Sequence, residues 1–253
     1  MSRLLVRRPS PRLADGEVTH IGRTSVDPAL AQRQWEAYVD VFRSRGWEVI
    51  EIDPADEQPD GVFVEDAVVV FGDLIVLCRA GAESRRGEAP TVRDAVAATG
   101  LETAEIVAPG TLDGGDVLKI GSTVYVGASS RTNADGIAQL TALLAPRGWQ
   151  IVAVPVERVL HLKSGVTALP DGTVVGFEPL VDDPAAFATF EAVPEEHGTA
   201  VVVLGPDEVL MSSDAPETAA RYEARGLRVV ATPITEFEKL EGCVTCLSVR
   251  IRD

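Results

Sequence analysis

One pattern recurs along this chain: a short apolar strand, a tight polar turn, a second strand, then a helix and a further strand. Ala67-Val-Val-Val-Phe71 turns at Gly72-Asp73 into Leu74-Ile-Val-Leu-Cys78, and a helical stretch over 91–99 leads to Glu105-Ile-Val-Ala108. Val117-Leu-Lys-Ile120 turns at Gly121-Ser122 into Thr123-Val-Tyr-Val126, followed by a helix over 133–144 and the strand Trp149-Gln-Ile-Val-Ala-Val154. A third copy pairs 165–169 with 173–176 across Pro170-Asp-Gly172. A fourth pairs 200–204 with 208–211 across Gly205-Pro-Asp207, then runs through a helix over 216–225 into 227–231. The fifth is split between the chain ends, with strands at 246–251 and 2–7, an amphipathic helix over 28–45 and a strand over 47–52.

The turn centres Gly72, Gly121, Asp171 and Pro206 are 49, 50 and 35 residues apart. Such spacings are too long, and the units too mixed, for a helical solenoid, and no Gly/Ser-rich linker separates the copies. The expectation is an α/β chain with one domain over 1–253, its modules closed into a ring by pairing of the two termini. A closed ring gives every module an inner end facing a common centre.

Glu65-Asp66, Asp113, His161 and Cys246 lie just before or at the first strand of successive modules. Four modules therefore aim carboxylates, an imidazole and a thiol at one place, although His161 and Cys246 are 85 residues apart in the chain. A Cys–His pair with an acidic orienting group is the layout of thiol nucleophilic catalysis, and further carboxylates imply a cationic target. The bland readings are a core thiol for Cys246, a satisfied buried histidine for His161, and turn or capping duties for Asp60, Glu65, Asp66, Asp113 and Asp116. Arg85 and Arg86 read equally as a solvated pair in a Gly-flanked loop. Cys243 and Cys246 also spell Cys-x-x-Cys. With Cys246 opening a strand, residues three apart point to opposite faces, which disfavours a paired redox or zinc site.

Charge narrows the partners. With 23 Lys+Arg against 39 Asp+Glu, the net charge of −16 repels nucleic acid and anionic membranes and steers a small cation inward. Charges interrupt every apolar stretch before membrane-spanning length, and Leu4-Leu5-Val6 is too short for a signal segment. Three sparse cysteines do not make a disulfide framework, so a cytoplasmic location is expected. Gly114-Gly115 is too short to cradle phosphate, and no cofactor or metal is expected.

Phe63-Val-Glu-Asp66, 81–87, 108–116, Arg131-Thr-Asn133, His161-Leu-Lys163 and Val244-Thr-Cys-Leu-Ser248 together resemble the dimethylarginine dimethylaminohydrolases of the pentein, or guanidine-modifying, superfamily. The resemblance runs over essentially the whole chain. It implies a five-fold pseudosymmetric α/β-propeller of ββαβ modules. It also implies hydrolysis of Nω-methylated arginine to citrulline and dimethylamine through an S-alkylthiouronium on Cys246. His161 would be acid and base, and Asp66 with Asp113 would clamp the guanidinium. Asp60 and the Leu240 carbonyl would hold the α-amino group, Arg85 and Arg131 the α-carboxylate, and a lid would come from 15–23. A homodimer is compatible with this reading. The alternatives are arginine deiminase or amidinotransferase chemistry, and a non-enzymatic pentein such as a ribosome-binding anti-association factor.

Overall fold

Successive strand residues point to opposite faces of a sheet, and over 68–71 and 74–77 both faces are apolar and buried. The computed structural model describes residues 1–252. In chain order it begins with β1 (Arg3–Val6), α1 (Pro28–Arg43) and β2 (Glu48–Glu51). The next module is β3 (Val68–Phe71), β4 (Leu74–Leu77), α2 (Ala89–Ala97) and β5 (Glu102–Glu105). Then follow β6 (Val117–Ile120), β7 (Thr123–Ala128), α3 (Ala134–Leu144) and β8 (Gln150–Pro155). The short α4 (Leu162–Gly165) precedes β9 (Val166–Ala168), β10 (Val174–Gly176) and β11 (Phe190–Ala192). Last come β12 (Val201–Gly205), β13 (Glu208–Ser212), α5 (Pro216–Ala224), β14 (Arg228–Thr232), α6 (Thr235–Glu238) and β15 (Val249–Ile251).

Among the described residues these strands make five three-stranded sheets, in the orders β15-β1-β2, β3-β4-β5, β6-β7-β8, β9-β10-β11 and β12-β13-β14. Each pairs its first two strands antiparallel and adds the third parallel, as a ββαβ connection requires. The split module is real: β15 pairs with β1 in the register Arg3↔Ile251, Leu5↔Val249. The expected five-fold α/β-propeller is therefore the fold.

Five apolar clusters, one between each pair of neighbouring sheets, close the ring. Val68 and Val70 of β3 pack toward Leu5, Val249 and Ile251, whereas Val69 and Phe71 pack the other way against Val117, Val124 and Val126. A strand wedged between two neighbours has no wet face, so β3 and β4 read as continuous apolar runs and not as alternation. The smallest cluster has eight buried residues. At roughly 1.5–3 kcal/mol per large buried side chain, it far outweighs an exposed ion pair at roughly 0–1 kcal/mol. Helix α1 shows the local logic. Asp27 caps it by accepting from the Ala29 and Leu30 amides, Pro28 opens it, and Ala31, Trp35, Tyr38, Val39 and Phe42 form its buried stripe.

Two expectations need correction. The last strand of the first copy is β5 at Glu102–Glu105, earlier than the apolar 105–108. As an outer strand it carries exposed Glu102 and Glu105, so hydrophobicity does not mark it. Cys246 is also not in a strand: β15 begins at Val249, and 244–247 is a turn. The third module reaches its parallel strand β11 through two 3-10 turns, Glu178–Leu180 and Pro184–Ala186, in place of an α-helix. That explains its shorter spacing. Among the described residues no helix is long and apolar enough to cross a membrane.

Candidate active site

A turn or short helix precedes each of four inner strands at the same end of the ring. The 3-10 turn Val64–Ala67 carries Glu65 and Asp66 into β3, and Asp113 precedes the 3-10 turn Gly114–Asp116 before β6. His161 is the N-terminal flank of α4 before β9, and Cys246 lies in the turn before β15. Of the eight residues singled out from the sequence, seven line one cavity of about 20 Å³: Asp60, Asp66, Arg85, Arg131, His161, Leu240 and Cys246.

The eighth, Asp113, is fully buried behind the imidazole. His161 Nε2 donates to Asp113 Oδ2 at 3.1 Å, and the other Asp113 oxygen accepts from the Gly81 amide at 2.9 Å. Asp113 contacts the imidazole but does not line the cavity, whereas Asp66 does, which favours Asp113 as the orienting group of His161 over the expected clamp. The other ring nitrogen, Nδ1, faces Asp66 Oδ1 at 3.8 Å. Burial pushes the imidazole pKa down, but Asp66, the hydrogen bond to Asp113 and the charge of Asp116 outweigh it and lift the group to about 9. His161 is thus an imidazolium at neutral pH. Asp66 answers in the opposite sense: burial alone would raise it, yet His161 and Arg85 hold it at about 2.

Gly115 makes this approach feasible. A Cβ there would lie 2.7 Å from both His161 Nδ1 and Asp66 Oδ1. The Gly114-Gly115 pair therefore serves close packing between modules.

The two thiols meet. The Cys246 amide donates to the Cys243 carbonyl at 3.1 Å across the turn, which sets the Sγ atoms 3.3 Å apart. The expectation that Cys243 and Cys246 face apart rested on an extended backbone and fails because the backbone turns. Cys246 is pushed well above the usual thiol pKa by its hydrogen bond with Cys243, by burial, and then by the charges of Cys243, Glu65 and Asp66.

A family model described as "N,N dimethylarginine dimethylhydrolase, eukaryotic" matches residues 23–166. The N(G),N(G)-dimethylarginine dimethylaminohydrolase of Streptomyces coelicolor is 58% identical over 249 residues, covering 98% of this chain and 96% of that protein. The chain belongs to the dimethylarginine dimethylaminohydrolase family. The structures agree. A Pseudomonas aeruginosa dimethylarginine dimethylaminohydrolase, solved as a cysteine-to-serine variant with citrulline, superposes with a TM-score of 0.91 at 31% identity over 98% of both chains. A histidine-to-glycine dimethylarginine dimethylaminohydrolase captured as an adduct with S-methyl-L-thiocitrulline gives 0.90 at 31% identity, covering 99% of this chain and all of that one.

Within this dimethylarginine dimethylaminohydrolase fold, the two arginines have different surroundings. Arg85 is buried and committed, donating to Asp66 Oδ2 at 2.6 Å, to both Glu88 oxygens at 2.9 and 3.0 Å, and to the Asp60 and Phe63 carbonyls. Arg131 Nη2 donates to Glu17 at 2.8 Å, while its buried Nη1 has no partner among the described residues. Glu65 and Asp116 are structural anchors. Glu65 takes Lys163, Arg250 and Thr245 at 2.6, 2.8 and 2.7 Å, and Asp116 takes Ser129, Thr132 and the Leu162 amide at 2.6, 2.6 and 2.9 Å.

Sequence reasoning assigned no role to Glu17 or Glu241. Glu17 reaches into the cavity from the 15–23 loop, and its amide donates to Asp60. Glu241 takes the Thr19 and His20 amides, each at 2.7 Å, and so ties the same loop down. Its φ of 61° is the one positive value among the described non-glycine residues. Left-handed backbone at a non-glycine residue costs roughly 1–3 kcal/mol, and such strain clusters where a site needs it.

Proposed function

We propose that this chain hydrolyses asymmetric dimethylarginine to citrulline and dimethylamine through a covalent intermediate on Cys246. The observation that carries the reading is the His161 imidazole held between Asp66 and Asp113 at the cavity that the Cys246 thiol also lines. Binding of the cationic substrate releases the Cys246 thiol proton to solvent, the sulfur attacks the guanidinium carbon, and His161 Nδ1 gives its proton to the departing dimethylamine as the carbon–nitrogen bond breaks. The now neutral imidazole takes a proton from water, the oxygen adds to the S-alkylthiouronium carbon, and the carbon–sulfur bond breaks to release citrulline. Asp66 fixes the guanidinium plane, and Asp113 positions His161.

At the amino-acid end, Asp60 and the Leu240 carbonyl take the α-amino group. The α-carboxylate takes the place of the Glu17 carboxylate on Arg131, where the unpartnered Nη1 completes a bidentate grip. Arg85 holds Asp66 in place. A cavity of about 20 Å³ holds about one water, so substrate enters only when the 15–23 loop lifts.

The test is formation of citrulline and dimethylamine from asymmetric dimethylarginine, with arginine and agmatine assayed alongside. Turnover of arginine in preference to the methylated substrate would assign deiminase chemistry instead. Arg131→Ala is expected to weaken binding of dimethylarginine by ~1.5–3 kcal/mol, the scale of a charged hydrogen bond, with little change for agmatine, which lacks the carboxylate. Equal losses on the two substrates would remove Arg131 from the carboxylate site.

A further inference from the structure

The ring encloses a second cavity of about 490 Å³ at the end of the axis away from the substrate cavity. The turn residues Gly72, Gly121 and Gly172 lie along its walls, and Glu65 and Lys163 lie at its inner limit. Inner strands from all five sheets contribute to it. Its ionisable lining is four cations, Lys119, Lys163, Arg250 and Arg252, against the single carboxylate of Glu65, in a chain whose net charge is −16.

That carboxylate is already used. Glu65 pairs with Lys163 at 2.6 Å and with Arg250 at 2.8 Å. Lys119 instead donates to the Val70 carbonyl at 2.5 Å and stands 5.4 Å from the centre of the Phe71 ring. Arg252 donates to the Val203 carbonyl and lies 5.7 Å from the Trp47 ring centre. Among the described residues no carboxylate pairs with Lys119 or Arg252. Both side chains are open to solvent, though protein encloses them on the channel wall. Enclosure, and then the charges of Lys163 and Arg250, push the Lys119 ammonium down to about 7, and an anion seated beside it favours its charged form. Mutually repelling cations in a confined, wet channel with low-dielectric walls concentrate anions. An acidic protein had ample carboxylates with which to neutralise this wall, and it has not done so.

We propose that this axial channel binds a small multivalent oxyanion, a phosphate or a small polycarboxylate, between Lys119 and Arg252 and against the outer face of the Glu65–Lys163–Arg250 cluster. The cluster separates this site from the substrate cavity: Glu65 adjoins Asp66 in the chain, and Thr245, which donates to Glu65, adjoins Cys246.

The test is calorimetric titration of the full chain with inorganic phosphate and, separately, with citrate, each against potassium chloride at matched ionic strength. Saturation at one site per chain is expected with at least one of the two, and which of them binds distinguishes phosphate from polycarboxylate. Lys119→Gln and Arg252→Gln should each weaken binding at least about tenfold, the scale of one lost charged hydrogen bond. Arg131→Ala should leave it within about twofold. Arg252→Gln also guards against a Lys119 variant that fails to fold, which circular dichroism would report. No saturation beyond the chloride control overturns the proposal. So does parent-like binding in both channel variants, or loss confined to Arg131→Ala, which would place the anion in the substrate cavity.

Discussion

Cys246→Ala is expected to lower the rate of citrulline formation by at least about 10⁴-fold, because removing the nucleophile of a covalent mechanism leaves only binding and electrostatic catalysis. Cys243→Ser is expected to stay within about tenfold of the parent, since a serine hydroxyl can still accept the hydrogen bond from Cys246. Both sulfurs are 3.3 Å apart, so proximity alone does not separate nucleophile from neighbour. What separates them is the cavity: Cys246 lines the one that holds His161, Asp66 and Arg131, whereas Cys243 faces a neighbouring groove with His20, His197 and Glu238. Intact-mass measurement on rapidly quenched parent enzyme should find an adduct on the Cys246 peptide. Equal rate losses in the two variants would mean a paired-cysteine reaction and end the single-nucleophile mechanism.

The second large effect concerns how that thiol is activated. Hydrogen bonding with Cys243, burial, and the charges of Glu65 and Asp66 hold Cys246 protonated in the free chain. A guanidinium about 4 Å from the sulfur contributes on the order of 4 kcal/mol at an effective dielectric near 20, or roughly three pKa units before desolvation is counted. The cationic substrate is therefore expected to lower the pKa of its own attacking thiol. Cys243 complicates the measurement, because its hydrogen bond from Cys246 outweighs burial and brings it to about 7. Thiolate absorbance should be titrated in Cys243→Ser with and without a non-hydrolysable amidine, and the Cys243→Ser/Cys246→Ser trace subtracted. A downward shift of two or more units on ligand binding is expected. A Cys246 thiolate already formed well below neutral pH, and indifferent to the ligand, would rule the mechanism out.

The same electrostatics fixes a sign for stability. The His161 pKa is raised on folding, from about 6.5 in an unfolded chain to about 9. Its contribution is complete below the unfolded value and is lost as pH rises through 9. Denaturant unfolding of the parent and of His161→Ala should accordingly diverge most near pH 6 and converge toward pH 10.

The ring was legible because its information is local and repeated. Each hairpin needs a polar turn between two apolar runs, and Gly72 and Gly121, at φ 63° and 57°, mark two of those turns directly. The repeat also predicted that Glu65-Asp66, Asp113, His161 and Cys246 share one end of the ring. Outer strands such as β5 were not legible, because a solvent-facing strand needs no apolar residues. The helix missing from the third module left only a shortened spacing. Glu17 and Glu241 belong to no motif. A sequence reader could have noted only acidic residues in the expected lid and beside the Cys-x-x-Cys segment.

The sequence by itself determined the module, its fivefold count, the ends that close the ring and the chemical types brought to the centre. Strand periodicity and turn chemistry act over a few residues, so they are written along the chain. Only the tertiary structure decided what each group contacts there. Asp113 contacts His161 and lies outside the cavity lining, Arg85 pairs with Asp66 and Glu88, Arg131 keeps a donor unpartnered among the described residues, and the two thiols touch. Those outcomes depend on which atoms lie within about 3–4 Å across module boundaries. Hydrogen bonds and charge interactions in a buried site are that short in range and that sensitive to enclosure, and no spacing along the chain encodes them.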